Sequence, residues 1–219
     1  MSAPAPIDRP PQFDRNFRRQ LEQLFRWRRD VRRFRPDPVD PSLIDALIGL
    51  AALAPSVGNS QPWRFVKVDD PARRDAVRRN FEACNGEALA DHAGERAALY
   101  ARLKLAGFDR APVHLAVFND RTTRHGHGLG RRTMPETLTY SVVGAVHALW
   151  LAARAHGVGV GWVSILDPEA VRATLDLPAG WTLVAYLCLG YPEEEHLDPE
   201  LERHGWQRRI DLADVVVQR

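Results

Sequence analysis

The sequence predicts a single α+β domain, and three observations carry that prediction. The chain has 219 residues, of which 45% are hydrophobic and 26% charged, enough for one large domain with its own core. Long segments with apolar residues at helical spacing are mixed with short apolar runs bounded by Gly and Pro. That pattern fits buried helices packed with short strands. No internal repeat divides the chain.

Residues 1–12 carry four prolines and are expected to form a flexible or draped arm, leaving 13–219 as the domain. Phe13, Phe17, Leu21, Leu24 and Phe25 recur at helical spacing, predicting a helix to about Arg28. Asp40 as N-cap and Pro41 at the first helical position open the next helix. Its continuation, "SLIDALIGLAALAP", is apolar around most of its circumference and so is expected to be deeply buried. "SVGNSQP" is a loop and "WRFVKV" a strand. Pro71 opens a helix to roughly Phe81, and residues 84–110 are helical in propensity. "VHLAVF" at 113–118 is a short apolar strand. "NDRTTRHGHGLGRRTMP" holds four arginines and three glycines without periodicity and reads as a mobile excursion. "ETLTYSVVGAVHALWLAARAHG" is a long helix ending at Gly157, apolar on nearly every side between Val142 and Ala155. A dimer interface is a natural second cover for it. "VGVGWVSI" and "WTLVAYLCLGYP" are strands flanking a short helix from Pro168 to about Leu175, and "IDLADVVVQR" closes the chain.

Bulk properties exclude several classes. The net charge of +2 gives no general attraction to nucleic acid. No apolar run reaches transmembrane length and the first residues lack a secretory apolar core, so a cytoplasmic location is expected. Cys84 and Cys188 are the two cysteines, too few for a disulfide framework or a Cys-based zinc site. His125 and His127 lack a third ligand nearby and read as loop histidines, so no metal is expected. His147 reads as a core or interface residue, and "PEEEHLDPELE" as a solvated acidic segment.

Three stretches carry chemistry. In "RWRRDVRRFRPDPVD", six of the ten residues from Arg26 to Arg35 are arginine. Guanidinium forks suit a phosphate, although a solvated basic face is the competing reading. Trp27, Val31 and Phe34 interleave with the arginines, so the segment is partly packed, and Arg208 and Arg209 offer a second basic pair. "APSVGNSQPWRF" gathers Ser56, Asn59, Ser60 and Gln61, whose amides and hydroxyls can read the edge of a heteroaromatic ring. A plain helix-to-strand connection is the alternative. In "GVGVGWVSILDP", glycines in a strand permit close backbone approach to a ligand, with Ser164 at the strand end. Gly157, Gly159 and Gly161 do not stand in the strand-turn-helix setting of a dinucleotide fingerprint.

Together these motifs resemble the flavin-dependent nitroreductase family, from about Arg26 to the C-terminal arginines. The resemblance implies a central mixed or antiparallel sheet flanked by helices, in a homodimer with FMN at the subunit interface. Arginines matching Arg28, Arg29 and Arg32, with Arg208 or Arg209, would grip the phosphate, and Val31 and Gly161 would line the site. The loop of Ser56, Asn59 and Gln61 would approach the flavin ring from the other subunit. Common members have serine where this chain has Asp30. "RRDVRRFRPDPV", "LAPSVGNSQPWRFV", "LKLAGFDRAPVHLAVF" and "GVGVGWVSILDP" resemble the branch that fragments reduced FMN with O2 to 5,6-dimethylbenzimidazole, the lower ligand of cobalamin. FMN is then a substrate, reduced by a separate flavin reductase or by NAD(P)H. The same resemblance makes residues 84–135 a candidate lid and places Leu103 near the ring. Asp30 would accept a proton or hydrogen bond from the ribityl chain, and Ser164 would sit near the flavin N5 edge. An NAD(P)H-dependent flavin or nitro reductase, a cob(II)yrinic acid a,c-diamide reductase and a non-enzymatic flavin carrier remain open on the same fold.

Overall fold

The computed structural model describes residues 10–90 and 107–219. Its centre is an antiparallel sheet of β1 (Trp63–Lys67), β2 (Val113–Asp120), β3 (Gly159–Val163) and β4 (Trp181–Gly190), in the order β1-β2-β4-β3. The inner strands β2 and β4 are covered on both faces, which explains why their sequences are continuously apolar rather than alternating. One face presents Leu115, Val117, Ala185, Leu187 and Leu189 to α2 (Pro41–Ala51) and α5 (Thr137–Ala155). The other presents Ala116, Phe118, Tyr186 and Cys188 to α3 (Pro71–Ala90) and α6 (Pro168–Thr174). The other helices are α1 (Arg15–Trp27), α4 (Gly107–Arg110), α7 (Glu200–Arg203) and α8 (Leu212–Val215).

Two helix ends aim the chain at the site. Asp40 caps α2 by accepting the Ser42 N–H at 2.8 Å, with Pro41 in the first turn as the sequence predicts. α5 ends in a Schellman turn at Gly157, whose φ of 73° suits glycine. Val158 N–H donates to Ala153 O at 2.9 Å and Gly157 N–H to Arg154 O at 3.0 Å. The chain then enters β3 directly. Along the free edge of β3 runs the arginine-rich segment: Asp30 bridges Val160 in parallel and Phe34 bridges Pro192 antiparallel. The sheet is therefore mixed at this edge.

Several expectations change. α1 has no buried residue, and its apolar stripe, including Phe25 at 49% exposure, stays open in a single chain. α2 buries Ile44, Leu47 and Ala51, but Leu50 and, beyond the helix, Leu53 at 79% exposure face outward. α5 likewise leaves Tyr140 (58%), Val143 and His147 exposed along one stripe, so His147 is not a core residue. α3 continues past Phe81 to Ala90. A lid over 84–135 cannot run through β2, a central strand with Leu115 to Phe118 fully buried. The excursion after β2 is packed: Thr123 is buried, and Arg131 donates to its carbonyl at 2.6 Å. The N-terminal arm and Leu103 lie outside the described residues, apart from exposed Pro10 to Gln12.

Candidate active site

Asp30 is fixed from both sides of Gly161. Val31 N–H donates to Val160 O at 3.0 Å, and the Asp30 Oδ1 accepts the Trp162 N–H at 2.9 Å. A Cβ on Gly161 would collide with the Val31 carbonyl oxygen, and one on Gly159 would meet Val31 Cγ2 at 2.8 Å. These glycines thus admit the chain's own 28–34 segment. The expectation that they open the strand to a ligand is corrected to this extent: the backbone that approaches Gly161 is that of Val31, and Gly161 is buried beneath it. Burial pushes the Asp30 carboxyl above its ordinary range, and nearby Glu200 adds to the rise. The Trp162 N–H and the Arg32 guanidinium pull the other way.

The arginines divide into two groups. Arg32 and Arg33 face carboxylates. Arg32 Nε stands 3.4 Å from Asp30 Oδ2 and 3.7 Å from Glu200 Oε2. Arg33 donates to Glu194 Oε1 from Nε at 2.8 Å and to Glu200 Oε1 from both terminal nitrogens at 3.2 Å. The Arg33 hydrogen bond holds the Glu194 carboxyl down at about 2. Arg28 and Arg29 differ. Among the described residues neither lies within ion-pair distance of a carboxylate. The Arg28 guanidinium lies over the Trp150 ring, 5.0 Å from its centroid, and the Trp150 indole N–H donates to Arg29 O at 3.1 Å. Arg29 donates to the carbonyls of Leu197 and Arg28. Burial lowers the proton affinity of both guanidinium groups; at Arg28 the Asp30 charge opposes this and Arg209 adds to it, and at Arg29 the charges of Arg28 and Arg209 add to it while Asp198 opposes it. Arg28, Arg29 and Arg209 therefore form a cluster of like charge that the chain itself leaves under-neutralised. Arg208 and Arg209 are both exposed, and it is Arg209 whose charge acts on Arg28 and Arg29.

A pocket opens between the end of α1, this segment, the end of α5 and residues 192–203, lined among others by Trp27, Arg29, Asp30, Arg32, Trp150 and Glu200. The acidic segment "PEEEHLDPELE" is exposed from Glu193 to Glu195 and at Asp198, as expected, but it is ion-paired and Glu200 is enclosed. Glu193 pairs with Arg110, Glu194 with Arg33, Glu195 with Arg154 and Glu200 with both Arg32 and Arg33. Glu200, Trp150 and the Trp162 N–H are the site groups that sequence reasoning missed. The charge complementarity of 193–202 with 26–35 was the available signal for Glu200.

The loop of Ser56, Asn59 and Gln61 lies elsewhere. Ser56 Oγ accepts the Gln61 N–H at 3.1 Å, and Asn59 Oδ1 accepts from Gln61 Nε2 at 3.3 Å. Asn59 and Gln61 both have positive φ, 53° and 45°, so the loop holds a costly backbone shape. Val57 N–H donates to Ser141 Oγ at 3.1 Å, near the start of α5, whereas Arg28 and Arg29 meet Trp150 near its end. Those two stations are about 14 Å apart along the helix. Within one chain, the loop and the Asp30 pocket are not brought together. Ser164 is exposed just beyond β3, two residues past Trp162. No group of three or more His, Cys, Asp or Glu residues able to hold a metal occurs among the described residues, His125 and His127 included.

A helix-flanked antiparallel sheet with an arginine-rich segment along the free edge of β3 defines the class as an α+β protein with a cationic pocket at the sheet edge. The chain belongs to the nitroreductase family, whose profile matches residues 25–191. It is 61% identical over 199 residues to the 5,6-dimethylbenzimidazole synthase of Rhodospirillum rubrum, covering 91% of this chain and 94% of that protein. The enzyme of the same name from Rhodobacter capsulatus is 51% identical over 90% of this chain and 96% of its own. A Thermus thermophilus protein named NADH dehydrogenase is 36% identical over 77% of this chain and 84% of its own. Among solved structures, iodotyrosine deiodinase bound to FMN and 3-iodo-L-tyrosine superposes with a TM-score of 0.72 at 24% identity, covering 90% of this chain and 97% of that one. A nitroreductase from Exiguobacterium sibiricum in complex with FMN gives 0.68 at 15%, covering 91% and 97%. These two likenesses concern the fold.

Proposed function

We propose that this chain is a 5,6-dimethylbenzimidazole synthase, an oxidoreductase that fragments reduced FMN with O2 to the lower ligand of cobalamin. Identity of 61% and 51% over nine-tenths of the chain to proteins of that name supports the reaction. The observation that carries the reading within the site is Asp30: a carboxylate hydrogen-bonded to β3, lining a pocket beside an under-neutralised arginine cluster. A site built to bind phosphate alone gains nothing from an acid there.

The residues fit the flavin nucleotide. Arg28, Arg29 and Arg209 supply charge-assisted donors for its phosphate. Reduced FMN supplies the electrons and the carbon skeleton, and O2 is the oxidant. Asp30, made more basic by burial, takes a proton or hydrogen bond from the ribityl chain. Ser164 stands toward the N5 edge. The chain acts as a homodimer: the exposed stripe of α5 packs on its copy, and the Ser56 loop of one subunit meets the pocket of the other. The reduced flavin comes from a separate flavin reductase or from NAD(P)H. No helix among the described residues is long and apolar enough to cross a membrane.

The test is Asp30→Asn under single turnover from anaerobically reduced FMN. The variant should bind reduced FMN and consume O2 but return oxidised FMN and peroxide, with product formation down roughly 10² to 10⁴-fold. Wild-type product yield would remove Asp30 from the mechanism. A wild-type protein that returns only FMN would be a reductase.

A further inference from the structure

Glu200 is a half-buried acid in the middle of the arginine-rich site, on α7, far in sequence from Asp30. Its side chain is 12% exposed, and an acid so enclosed must be compensated. Three cations compensate it: Arg32 at 3.7 Å from Oε2, Arg33 at 3.2 Å from Oε1, and His204 Nε2 at 3.8 Å from Oε1 when protonated. The Arg32 guanidinium is thereby shared, since its Nε also stands 3.4 Å from Asp30 Oδ2. At 3.4 Å the Asp30 contact is long for a charge-assisted bond, which closes at about 2.7–2.9 Å when nothing competes.

We propose that Glu200 is a positioning residue for the reaction: by holding Arg32 between two carboxylates, it keeps Arg32 from closing a full ion pair on Asp30, and so keeps Asp30 free to accept a proton. A carboxylate locked to a guanidinium is a poor base, because proton uptake would have to break the pair. One shared with a second acid is a better one. The inference rests on Asp30 being the proton acceptor. The groups facing Asp30 are the Trp162 N–H from β3, Arg28 and Arg32 from its own segment, Cys188 from β4 and Glu200 from α7. Glu200 is the one negative charge among them, and its effect on Asp30 is to raise its proton affinity. Cys188, fully buried with its thiol pushed up by that burial, stays neutral.

The experiment compares wild type, Glu200→Gln, Glu200→Asp and Asp30→Asn. The first readout needs no flavin: the carboxyl ¹³C resonance of Asp30, assigned by its loss in Asp30→Asn, is titrated in each flavin-free protein. Glu200→Gln should move the midpoint down by about half a pH unit or more, as removal of a neighbouring negative charge requires. Glu200→Asp keeps the charge and should restore most of the wild-type midpoint. The second readout is the single-turnover rate against pH. In Glu200→Gln the acid limb should shift down with the midpoint, and the plateau should fall roughly two- to fivefold with the weaker base. An unmoved midpoint in folded Glu200→Gln overturns the proposal while leaving Asp30 as base. So does a lower rate with no shift of limb or midpoint, which would mark Glu200 as merely structural. If Asp30→Asn makes product at the wild-type rate, the base assignment fails and this proposal falls with it. A midpoint that still shifts in Glu200→Gln would then show that the charge coupling survives without a catalytic role.

Discussion

Gly161→Ala should damage fold and site together. A Cβ at this position would sit deep inside van der Waals contact with the Val31 carbonyl oxygen, with Val31 C at 3.4 Å and Phe34 Cζ at 3.5 Å behind it. Neither the oxygen nor the strand can rotate away, since both are backbone. Restoring an ordinary C···O contact of about 3.3 Å needs a separation of about 1 Å between β3 and the 28–34 segment. That displacement stretches the Val31 N–H to Val160 O bond, now 3.0 Å, and the Trp162 N–H to Asp30 Oδ1 bond, now 2.9 Å, beyond hydrogen-bonding range. Overpacking of this kind costs about 1–3 kcal/mol and each of the two lost bonds about 1 kcal/mol, for roughly 3–5 kcal/mol in all. Urea denaturation measures it as a lower midpoint at unchanged slope. Gly49→Ala, in an exposed turn of α2 with nothing within 4 Å of the added carbon, should instead stabilise by about 0.5–1 kcal/mol. A Gly161→Ala protein within about 0.5 kcal/mol of wild type would refute the close-approach argument.

Arg28→Ala and Arg209→Ala should each weaken FMN binding at least roughly tenfold while changing riboflavin binding little, and Arg208→Ala should do neither; calorimetric titration with both ligands decides it. Wild type should sediment near twice the 24.7 kDa chain mass, and Val143→Glu on the exposed stripe of α5 should shift it to monomer and lose FMN binding at the same protein concentration. His114 is buried against Tyr186, with its Nδ1 3.0 Å from the phenol oxygen, and burial lowers its pKa from 6.5 to about 3. The unfolded chain therefore binds the extra proton first, so this stability is complete above about pH 6.5 and is lost as pH falls toward 3. Between pH 7 and 5 the loss from this group should be about 2 kcal/mol, seen by denaturant titration and absent from His114→Gln.

Local rules made the framework legible. The Asp40-Pro41 start, the Gly157 stop and the apolar runs of β2 and β4 each follow from short-range chemistry, and each stands where the sequence places it. What failed was anything set by pairing across the chain. The ion pairs of the acids at 193–200 were hidden because their arginine partners lie far away in sequence, 41 positions for Glu195, 83 for Glu193 and 161 and 167 for Glu194 and Glu200. Gly161 looked like a ligand contact because a glycine in a strand shows only that something approaches, not what. The all-round apolar character of α2 suggested deep burial, yet Leu50 and Leu53 beyond it face outward in a single chain. Asp30 was visible as an acid among arginines, but its attachment to Trp162 and the partition of the arginines around it were not.

That partition addresses a conflict inherent in the motif. A phosphate monoester carries about −1.5 to −2 charges near pH 7, and an aspartate two residues from its arginines repels it. Repulsion grows as the two charges approach and as water is excluded. The fold lowers it by spending different cations on different anions. Asp30, Glu200 and Glu194 are matched by Arg32 and Arg33, leaving that set close to balanced. Arg28 and Arg29, joined by Arg209 from the far end of the chain, repel one another, with Asp30 offsetting this at Arg28 and Asp198 at Arg29 but neither close enough for an ion pair. An anion that settles among these three relieves their mutual repulsion as well as making its own bonds. Arg28 feels both sides, raised by Asp30 and lowered by Arg209. On the proposed function it would stand at the boundary between the proton-accepting set and the anion-binding set. On the proposed function the density of arginine in "RWRRDVRRFR" would follow from this geometry: one short segment would furnish cations both to its own carboxylates and to the phosphate, which would otherwise repel each other across the same pocket.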